Sequence, residues 1–203
     1  MKSTLKGNYA VADVIARPWQ KTLPYPRQPC MLNISTKKTG KVMIGLYPGT
    51  FDPPTNGHFD IIRRASRLFT KVIVGIAIDV SKDTLFTPQE RQKLMQKSIE
   101  DLNNVSVATF EGLVANFASD MGANVILRGV RSVADYEYEL QMAIANREVS
   151  GGSLETMLLL PSLKWSFISS HLVKEIVSLG GDASTFVPPQ VYKALQDKYR
   201  SLE

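Results

Sequence analysis

The chain contains one cysteine, Cys30, in 203 residues. A single thiol cannot form an intrachain disulfide or a thiolate metal cluster, which favours a reducing, cytoplasmic setting. The sequence also lacks an apolar run near the ~20 residues of a membrane-spanning helix, and its N-terminus lacks the pattern of a secretory signal. We therefore expect a soluble globular protein without a membrane partner, in keeping with 44% hydrophobic and 21% charged residues.

Acidic residues are nearly absent from residues 1–42. That segment carries eight lysines and arginines against one acid, Asp13, a net charge of +7, whereas residues 43–203 carry 16 basic and 18 acidic side chains, a net charge of −2. The positive charge of the chain therefore belongs to this segment and not to the remainder. We interpret residues 1–42 as a basic extension outside a domain of residues 43–203, and we favour its interpretation as sequence upstream of a true start at Met43, because a strand pattern follows at once. A transit peptide or an extra arm are the alternative interpretations.

From Met43 onward, short β-branched runs alternate with longer helical periods. Strand patterns cover 41–47, 71–78, 105–110, 124–129 and 155–161, and helix patterns cover 56–69, 87–102, 113–122, 133–149, 169–181 and 188–200. Parallel strands need crossover connections, which are usually helices. The alternation predicts an α/β fold with a doubly wound, five-stranded parallel sheet.

Two helices carry more detailed signals. The helix at 87–102 opens with Thr87, Pro88 and Glu90, which match a capping box with proline at the first helical position. The helix at 56–69 has apolar residues near a 3.6-residue spacing, which predicts a core-facing side. That side comprises Phe59, Ile62, Ala65, Leu68 and Phe69.

Polar residues follow four of the five strands. Ligands of doubly wound sheets bind beyond the carboxyl ends of the strands, where the strand order reverses. The residues expected at this edge are Thr50, His58, Lys82, Arg128, Arg131, Lys164, Ser169 and Ser170. So many cations and hydroxyls predict a site for several phosphates, with Gly49 and the next helix N-terminus admitting an anion.

Each of these residues also has an ordinary structural interpretation. A histidine on a partly apolar helix is usually structural, but the position of His58 in a first turn after a glycine-containing loop favours function. Arg128 and Arg131 follow a buried strand, where unpaired charge is costly, so we expect an anion nearby. Trp165 and Phe167 are interpreted as packing residues. With two separated histidines and no cysteine cluster, no metal site built by the protein is expected.

The segment GTFDPPTNGH (49–58) resembles the G-T-F-D-x-x-x-x-G-H motif of the nucleotidyltransferase superfamily, whose histidine assists attack on a nucleoside triphosphate. Within that superfamily, the chain is similar to the phosphopantetheine adenylyltransferase family. The similar segments are YPGTFDPPTNGHFDII, SKDTLFTPQER, LVANFA, LRGVRSVADYEYE and WSFISSHLVKE.

The resemblance implies a Rossmann-like nucleotidyltransferase fold and a reaction in coenzyme A biosynthesis. Mg-ATP and 4′-phosphopantetheine would give dephospho-coenzyme A and pyrophosphate, with Mg²⁺ entering with ATP. It also implies a cytoplasmic homohexamer that coenzyme A inhibits by feedback, with no nucleic-acid partner.

The resemblance also assigns roles to individual residues. His58 would stabilise the transition state, with Thr50, Lys82 and Arg131 as the other catalytic residues. The acceptor would contact Thr50, Lys82, Val114 and Arg128. ATP would contact Thr50, Phe51, His58, Gly129, Val130, Arg131, Glu139, Trp165, Ser166, Phe167, Ile168, Ser169, Ser170 and His171. The family usually has serine or threonine where His171 stands.

Two alternatives remain open. One is a nucleotidyltransferase with another substrate, such as nicotinate or nicotinamide mononucleotide as acceptor or CTP as donor, although RGVRSVADYEYE and WSFISS argue against it. The other is a module that binds nucleic acid or a membrane surface through the basic extension.

Removing residues 1–42 separates the enzyme from the binding module. We expect pyrophosphate release from ATP and an acceptor to be unchanged by this truncation, because the extension lies outside the predicted catalytic domain. The binding module would be favoured instead if the full chain released no pyrophosphate and bound nucleic acid in a salt-dependent way, and if this binding disappeared when the extension was removed.

Overall fold

The computed structural model describes residues 42–78 and 83–201. Within them, strands and helices alternate along the chain. The strands are β1 (Ile44–Gly49), β2 (Lys71–Ala77), β3 (Val105–Phe110), β4 (Val125–Gly129) and β5 (Glu155–Leu159). The helices are α1 (Asn56–Leu68), α2 (Pro88–Ser98), α3 (Val114–Asp120), α4 (Val133–Val149), α5 (Ser170–Ser178) and α6 (Pro189–Arg200). Lys82 and nearly all of the predicted basic extension lie outside the described residues.

All five strands are parallel and lie in the order β3-β2-β1-β4-β5. From β1 the chain steps outward through β2 to β3, then crosses to β4 on the other side of β1 and continues to β5. The strand order therefore reverses between β1 and β4, and a crevice opens beyond their carboxyl ends. This arrangement confirms the predicted doubly wound, five-stranded parallel sheet.

Alternate residues of the central strands are buried on opposite faces of the sheet. Tyr47, Val72 and Val74 belong to the core cluster that includes residues of α1 and α2. Leu46 and Ile73 belong to the cluster that includes residues of α3. This two-sided burial is typical of parallel strands and confirms the prediction for residues 71–78. Among the helices of the described ranges, none is long and apolar enough to cross a membrane.

The predicted helix signals are largely confirmed. At α2, the backbone N–H of Glu90 donates to Thr87 Oγ1 (3.2 Å) and the backbone N–H of Thr87 donates to Glu90 Oε2 (2.7 Å), which is a complete capping box. On α1, four of the five predicted apolar residues are buried, but Leu68 is 61% exposed. The prediction for Leu68 was wrong because the residue ends the helix, and Ile61 is the further buried residue of that face.

Arg91 on α2 is a buried cation that joins three separate segments. Its side chain is 2% exposed. Its Nε donates to the carbonyl of Phe86 (3.1 Å), and its Nη1 donates to the carbonyls of Thr50 (2.5 Å) and Ala77 (3.0 Å). Burial lowers the pKa of Arg91, and the charge of Asp52 opposes that shift. The guanidinium therefore fixes the loop after β1 against the end of β2.

Asp52 fixes the same loop from its other side. Its carboxylate is 5% exposed and accepts from the backbone N–H groups of Leu85 and Phe86, both at 2.9 Å. It also pairs with Lys174 Nζ of α5 at 2.8 Å. The loop that carries GTFD is thus held between α2 and α5 by two buried charges.

Replacing Arg91 tests this arrangement. We expect Arg91→Met to lower the free energy of unfolding by about 2–4 kcal/mol, because buried carbonyls lose a charged donor. Lys93→Met is the matched control, since Lys93 is exposed on the same helix, and it should change stability by less than ~0.5 kcal/mol. Denaturant unfolding of both variants measures the difference. Equal stability of the two variants would contradict the structural role of Arg91.

Candidate active site

A cavity of about 250 Å³ lies at the crevice between β1 and β4. Its walls come from the loop after β1, the first turn of α1, the end of β4, α4, and the segment that leads into α5. The predicted site residues that line it are Thr50, Phe51, His58, Arg128, Gly129, Arg131, Glu139, Trp165, Ile168, Ser169 and Ser170. The structure thus brings together most of the predicted site.

Other predicted residues lie elsewhere. Val114 packs against the core cluster on the α3 side, and Val130 is buried with its backbone N–H donating to the Leu159 carbonyl (3.0 Å). The Ser166 hydroxyl donates to the carbonyl of Leu163 (3.0 Å). None of these three side chains lines the cavity within the described part of the chain. Lys82 falls outside that part.

The segment before α5 differs from its sequence-based interpretation. Trp165 packs partly buried against the core cluster of α5 and α6, as predicted. Phe167 was also interpreted as a packing residue, but it is 61% exposed and contacts the ring of Phe186 edge-on, with the ring centroids 5.8 Å apart. Lys164 Nζ lies 4.4 Å from the centre of the Trp165 ring, a cation–π contact.

His171 lies in the first turn of α5 and is exposed. It lines an adjoining cavity of about 380 Å³ together with Thr84 and Lys174. This second cavity shares the walls Thr50, Phe51, His58 and Ser170 with the first. The imidazole that replaces the usual hydroxyl therefore stands beside the first cavity and not in its wall.

The orientation of His58 follows from the start of α1. Thr55 is the N-cap residue, and its backbone N–H donates to His58 Nδ1 at 2.9 Å. Histidine thus takes the place that glutamate or glutamine has in an ordinary capping box. Because Nδ1 is an acceptor, the proton of the neutral ring must be on Nε2. Within the described residues, Nε2 has no protein partner, and the ring lines the cavity.

His58 is uncharged at neutral pH. Burial, together with the positive charge of Arg131, lowers the pKa of His58 to about 4. A ring that stays neutral cannot serve as an imidazolium acid, and a ring whose Nδ1 is already bonded cannot accept a proton there. What His58 offers to the cavity is a neutral Nε2–H donor.

Two helix N-termini meet at the cavity. Thr55 and Gly57 at the start of α1, and Ser169 and Ser170 at the start of α5, all line it. The Ser169 hydroxyl caps α5 by accepting from Leu172 N–H at 3.0 Å. Within the described ranges, the backbone N–H groups of Gly57 and Ser170 have no acceptor. Unbonded N–H groups and two positive dipole ends make this cavity suited to anions.

The two predicted anion-binding arginines have protein partners. Arg128 Nε and Nη2 donate to the Glu139 carboxylate at 2.5 and 2.6 Å, and Nη1 donates to the carbonyl of Pro48 at 3.0 Å. Glu139 is 7% exposed. The anion that the sequence predicted near Arg128 is therefore this buried carboxylate, and Glu139 is engaged with Arg128 in this structure.

Arg131 is paired in a similar way. Its Nε donates to Asp135 at 3.1 Å and its Nη1 donates to the carbonyl of Ile168 at 2.9 Å. Arg131 thus links the start of α4 to the segment before α5. Both arginines line the cavity, but their charges are partly balanced inside the protein, so helix dipoles supply much of the attraction for an anion.

The glycine of GTFD, Gly49, is explained by the space that the Phe51 ring needs. A β-carbon added at Gly49 would lie 2.8 Å from a ring carbon of Phe51, so glycine makes room for that ring. Phe51 has φ of 52°, a conformation that bulky residues rarely adopt. Its ring packs edge-on to the rings of Tyr47 (5.3 Å) and His58 (5.0 Å), which holds it in place.

Comparison with known proteins agrees with this site. The model of the cytidylyltransferase-like family matches residues 46–176, which is well over half of the chain and includes His58 and both arginines. The chain belongs to the cytidylyltransferase-like family. Membership confirms the superfamily predicted from GTFDPPTNGH and makes nucleotidyl transfer the general chemistry of the cavity.

A solved structure with the same fold is the crystal structure of a candidate nicotinate-nucleotide adenylyltransferase from Vibrio parahaemolyticus. It is 22% identical to this chain, with a TM-score of 0.59, and the match covers 78% of this chain and 95% of that one. At this identity the likeness concerns the fold, which is the Rossmann-like arrangement expected of a cytidylyltransferase-like protein.

Sequence reasoning missed three residues of this cytidylyltransferase-like site. Asp52 and Arg91 hold the GTFD loop, and Thr55 orients His58. Thr55 three residues before His58 was a usable signal, because that spacing is the spacing of a capping box. Arg91 gave no signal, since an arginine on an amphipathic helix usually faces solvent.

The charge state of His58 can be measured directly. The chain has two histidines, so His171→Asn leaves one imidazole to follow by NMR. We expect His58 to titrate with a pKa of about 4 and to stay neutral above it, because burial and Arg131 disfavour the imidazolium. Adding Arg131→Gln should raise this pKa, since it removes a like charge. A midpoint near the ordinary value of about 6.5 would contradict the assignment.

Proposed function

We propose that this protein transfers the adenylyl group of Mg-ATP to 4′-phosphopantetheine, giving dephospho-coenzyme A and pyrophosphate. The observation that carries the proposal is the neutral Nε2–H of His58, held in a cavity where two helix N-termini meet. The choice of acceptor is supported by the resemblance of LRGVRSVADYEYE and WSFISSH to the phosphopantetheine adenylyltransferase family.

The reaction is a single displacement at phosphorus. A phosphate oxygen of the acceptor attacks the α-phosphorus of ATP, and the bond from that phosphorus to the bridging oxygen of pyrophosphate breaks. The leaving pyrophosphate takes the bonding electron pair. A phosphate monoester is largely ionised at neutral pH, because its second pKa is about 6, so no protein base is needed. This fits a site whose histidine is an unsuitable base.

Catalysis then consists of positioning and charge stabilisation. In the proposal, His58 Nε2–H donates to an α-phosphate oxygen as negative charge grows on it, and the N-termini of α1 and α5 attract the phosphates. Mg²⁺ enters as part of the substrate. In the ranges 42–78 and 83–201, no group of three or more histidine, cysteine, aspartate or glutamate side chains could hold a metal ion, so no step is assigned to a resident ion.

The acceptor contacts are proposed from the family motif. Thr50 lines both cavities, and Arg91 holds its backbone carbonyl. We assign its hydroxyl to the acceptor phosphate. Arg128 would add its remaining N–H groups while it stays bonded to Glu139. We include Lys82 and Val114 as further contacts on the resemblance alone.

Nicotinate mononucleotide is the second candidate acceptor. It is also a phosphate monoester, so the same displacement would serve it. The observation that favours it is the similar fold of the candidate nicotinate-nucleotide adenylyltransferase from Vibrio parahaemolyticus. The two candidates differ in the group beyond the phosphate and not in the catalytic step.

We also propose that the protein is cytoplasmic and forms a homo-oligomer, which the family resemblance makes a hexamer. On the same resemblance, we propose that coenzyme A inhibits it. Support for self-association comes from α4, where only Glu139 is buried. Apolar side chains on this helix are 43–76% exposed, namely Val133, Tyr136, Tyr138, Leu140, Ile144 and Val149. A second copy of the chain would cover them.

Product identification tests the acceptor. The full chain is incubated with Mg-ATP and 4′-phosphopantetheine, nicotinate mononucleotide or nicotinamide mononucleotide in parallel, and with Mg-CTP as an alternative donor. We expect dephospho-coenzyme A and pyrophosphate from the first mixture, identified by mass spectrometry. Turnover with a mononucleotide and none with 4′-phosphopantetheine would refute the proposed acceptor while leaving nucleotidyl transfer intact.

Replacing His58 tests its role. We expect His58→Ala to lower kcat by roughly 10²- to 10³-fold and to change KM for ATP much less, because the lost donor acts mainly in the transition state. Steady-state kinetics with direct measurement of ATP binding separate the two effects. If ATP affinity fell as much as turnover, His58 would instead bind the ground state.

A further inference from the structure

Tyr47 is a cavity residue that neither the motif nor the proposed mechanism uses. It lies on β1, is 5% exposed, and belongs to the core cluster of α1 and α2. Its ring packs edge-on to Phe51, with centroids 5.3 Å apart, and its centroid lies 6.5 Å from that of His58. The ring is therefore part of the core, while the side chain also lines the cavity.

The hydroxyl of Tyr47 has no hydrogen-bond partner within the described residues. In the same part of the chain, every side-chain nitrogen or oxygen that is shielded from solvent has a partner. An unpartnered hydroxyl must therefore be open to the cavity. A buried tyrosine usually bonds through its hydroxyl, since leaving that group without a partner costs free energy. Whatever occupies the cavity can supply the missing acceptor.

The hydroxyl lies at the junction of β1 and β4. It lies beside Gly129 at the end of β4, 3.5 Å from the position that a β-carbon on that glycine would take. This junction is where the strand order reverses and where doubly wound sheets bind ligands. His58, Arg128 and Arg131 line the same cavity.

The hydroxyl stays protonated at any pH at which the protein is used. Burial raises the pKa of Tyr47, and the charges of Arg128 and Arg131 oppose that shift. A protonated hydroxyl without a protein acceptor is available as a donor. The O–H of Tyr47 is thus a neutral side-chain donor at the cavity, in addition to the Nε2–H of His58.

We infer that the Tyr47 hydroxyl donates a hydrogen bond to a phosphate or ribose oxygen of the nucleoside triphosphate in this cavity. The inference rests on the proposed function for one point, that the ligand of the cavity is a nucleotide. It does not depend on which acceptor receives the nucleotidyl group. Tyr47 is thus a nucleotide-binding residue within a strand of the sheet.

Direct nucleotide binding by Tyr47→Phe tests this assignment, because the variant removes one oxygen and keeps the ring. Isothermal titration with Mg-ATP and Mg-CTP, without an acceptor, should give a Kd roughly 5- to 20-fold higher than that of the wild type, the range of one hydrogen bond. Tyr192→Phe on α6 is the matched control and should bind like the wild type.

The melting temperature provides a second measurement. Because the hydroxyl has no protein partner, Tyr47→Phe should melt within about 2 °C of the wild type. A lower melting temperature with unchanged nucleotide affinity would mean a structural role and would overturn the assignment. Unchanged affinity and unchanged melting would overturn it as well.

Deoxynucleotides distinguish the two possible acceptors. If the hydroxyl contacts a ribose hydroxyl, the wild type and Tyr47→Phe should bind the nucleotide that lacks this hydroxyl, 2′-deoxy-ATP or 3′-deoxy-ATP, with equal affinity. If it contacts a phosphate, Tyr47→Phe should weaken the binding of ATP, 2′-deoxy-ATP and 3′-deoxy-ATP by the same factor. Either result supports the assignment. Failure of the wild-type chain to bind ATP or CTP would refute the proposed function, whereas binding that Tyr47→Phe leaves unchanged would refute only this inference.

Discussion

The backbone N–H of Thr55 donates to Nδ1 of His58, and the chemistry of the cavity depends on this hydrogen bond. It fixes the ring at the start of α1, makes Nδ1 an acceptor and leaves the proton on Nε2. A glutamate at the same capping position would start the helix equally well, but it would bring a negative charge to a site for phosphates. Histidine therefore combines the structural role of a capping residue with a neutral donor for the reaction.

The loop that carries Thr55 is itself held by buried charges. Arg91 binds the carbonyl of Thr50, and Asp52 binds two backbone N–H groups and Lys174. Near the cavity, Arg128 is balanced by Glu139 and Arg131 by Asp135. Among the residues that the structure describes, the site thus offers phosphates helix N-termini and neutral donors more than free cations. Such preorganised dipoles stabilise growing charge without having to reorient during the reaction.

Sequence reasoning predicted the order of elements, the parallel sheet and most of the cavity wall, because these follow from hydrophobic periodicity and from the rule on carboxyl ends of strands. It did not identify the partners of individual side chains. An anion was expected near Arg128, but the sequence did not indicate that this anion is Glu139 of α4. Phe167 was expected to be a packing residue, yet it is 61% exposed. Periodicity describes an element's own faces and not what packs against them.

The protonation state of His58 is the central claim, and nitrogen NMR of the ¹⁵N-labelled chain measures it most directly. At neutral pH, the chemical shifts and one-bond proton couplings of the ring distinguish a protonated nitrogen from an unprotonated one. We predict a neutral ring with the proton on Nε2 and none on Nδ1, and a change in the Nε2 signal when Mg-ATP binds. A proton on Nδ1, or an imidazolium at neutral pH, would contradict the account, because His58 would then not be the neutral Nε2–H donor that Thr55 is inferred to hold.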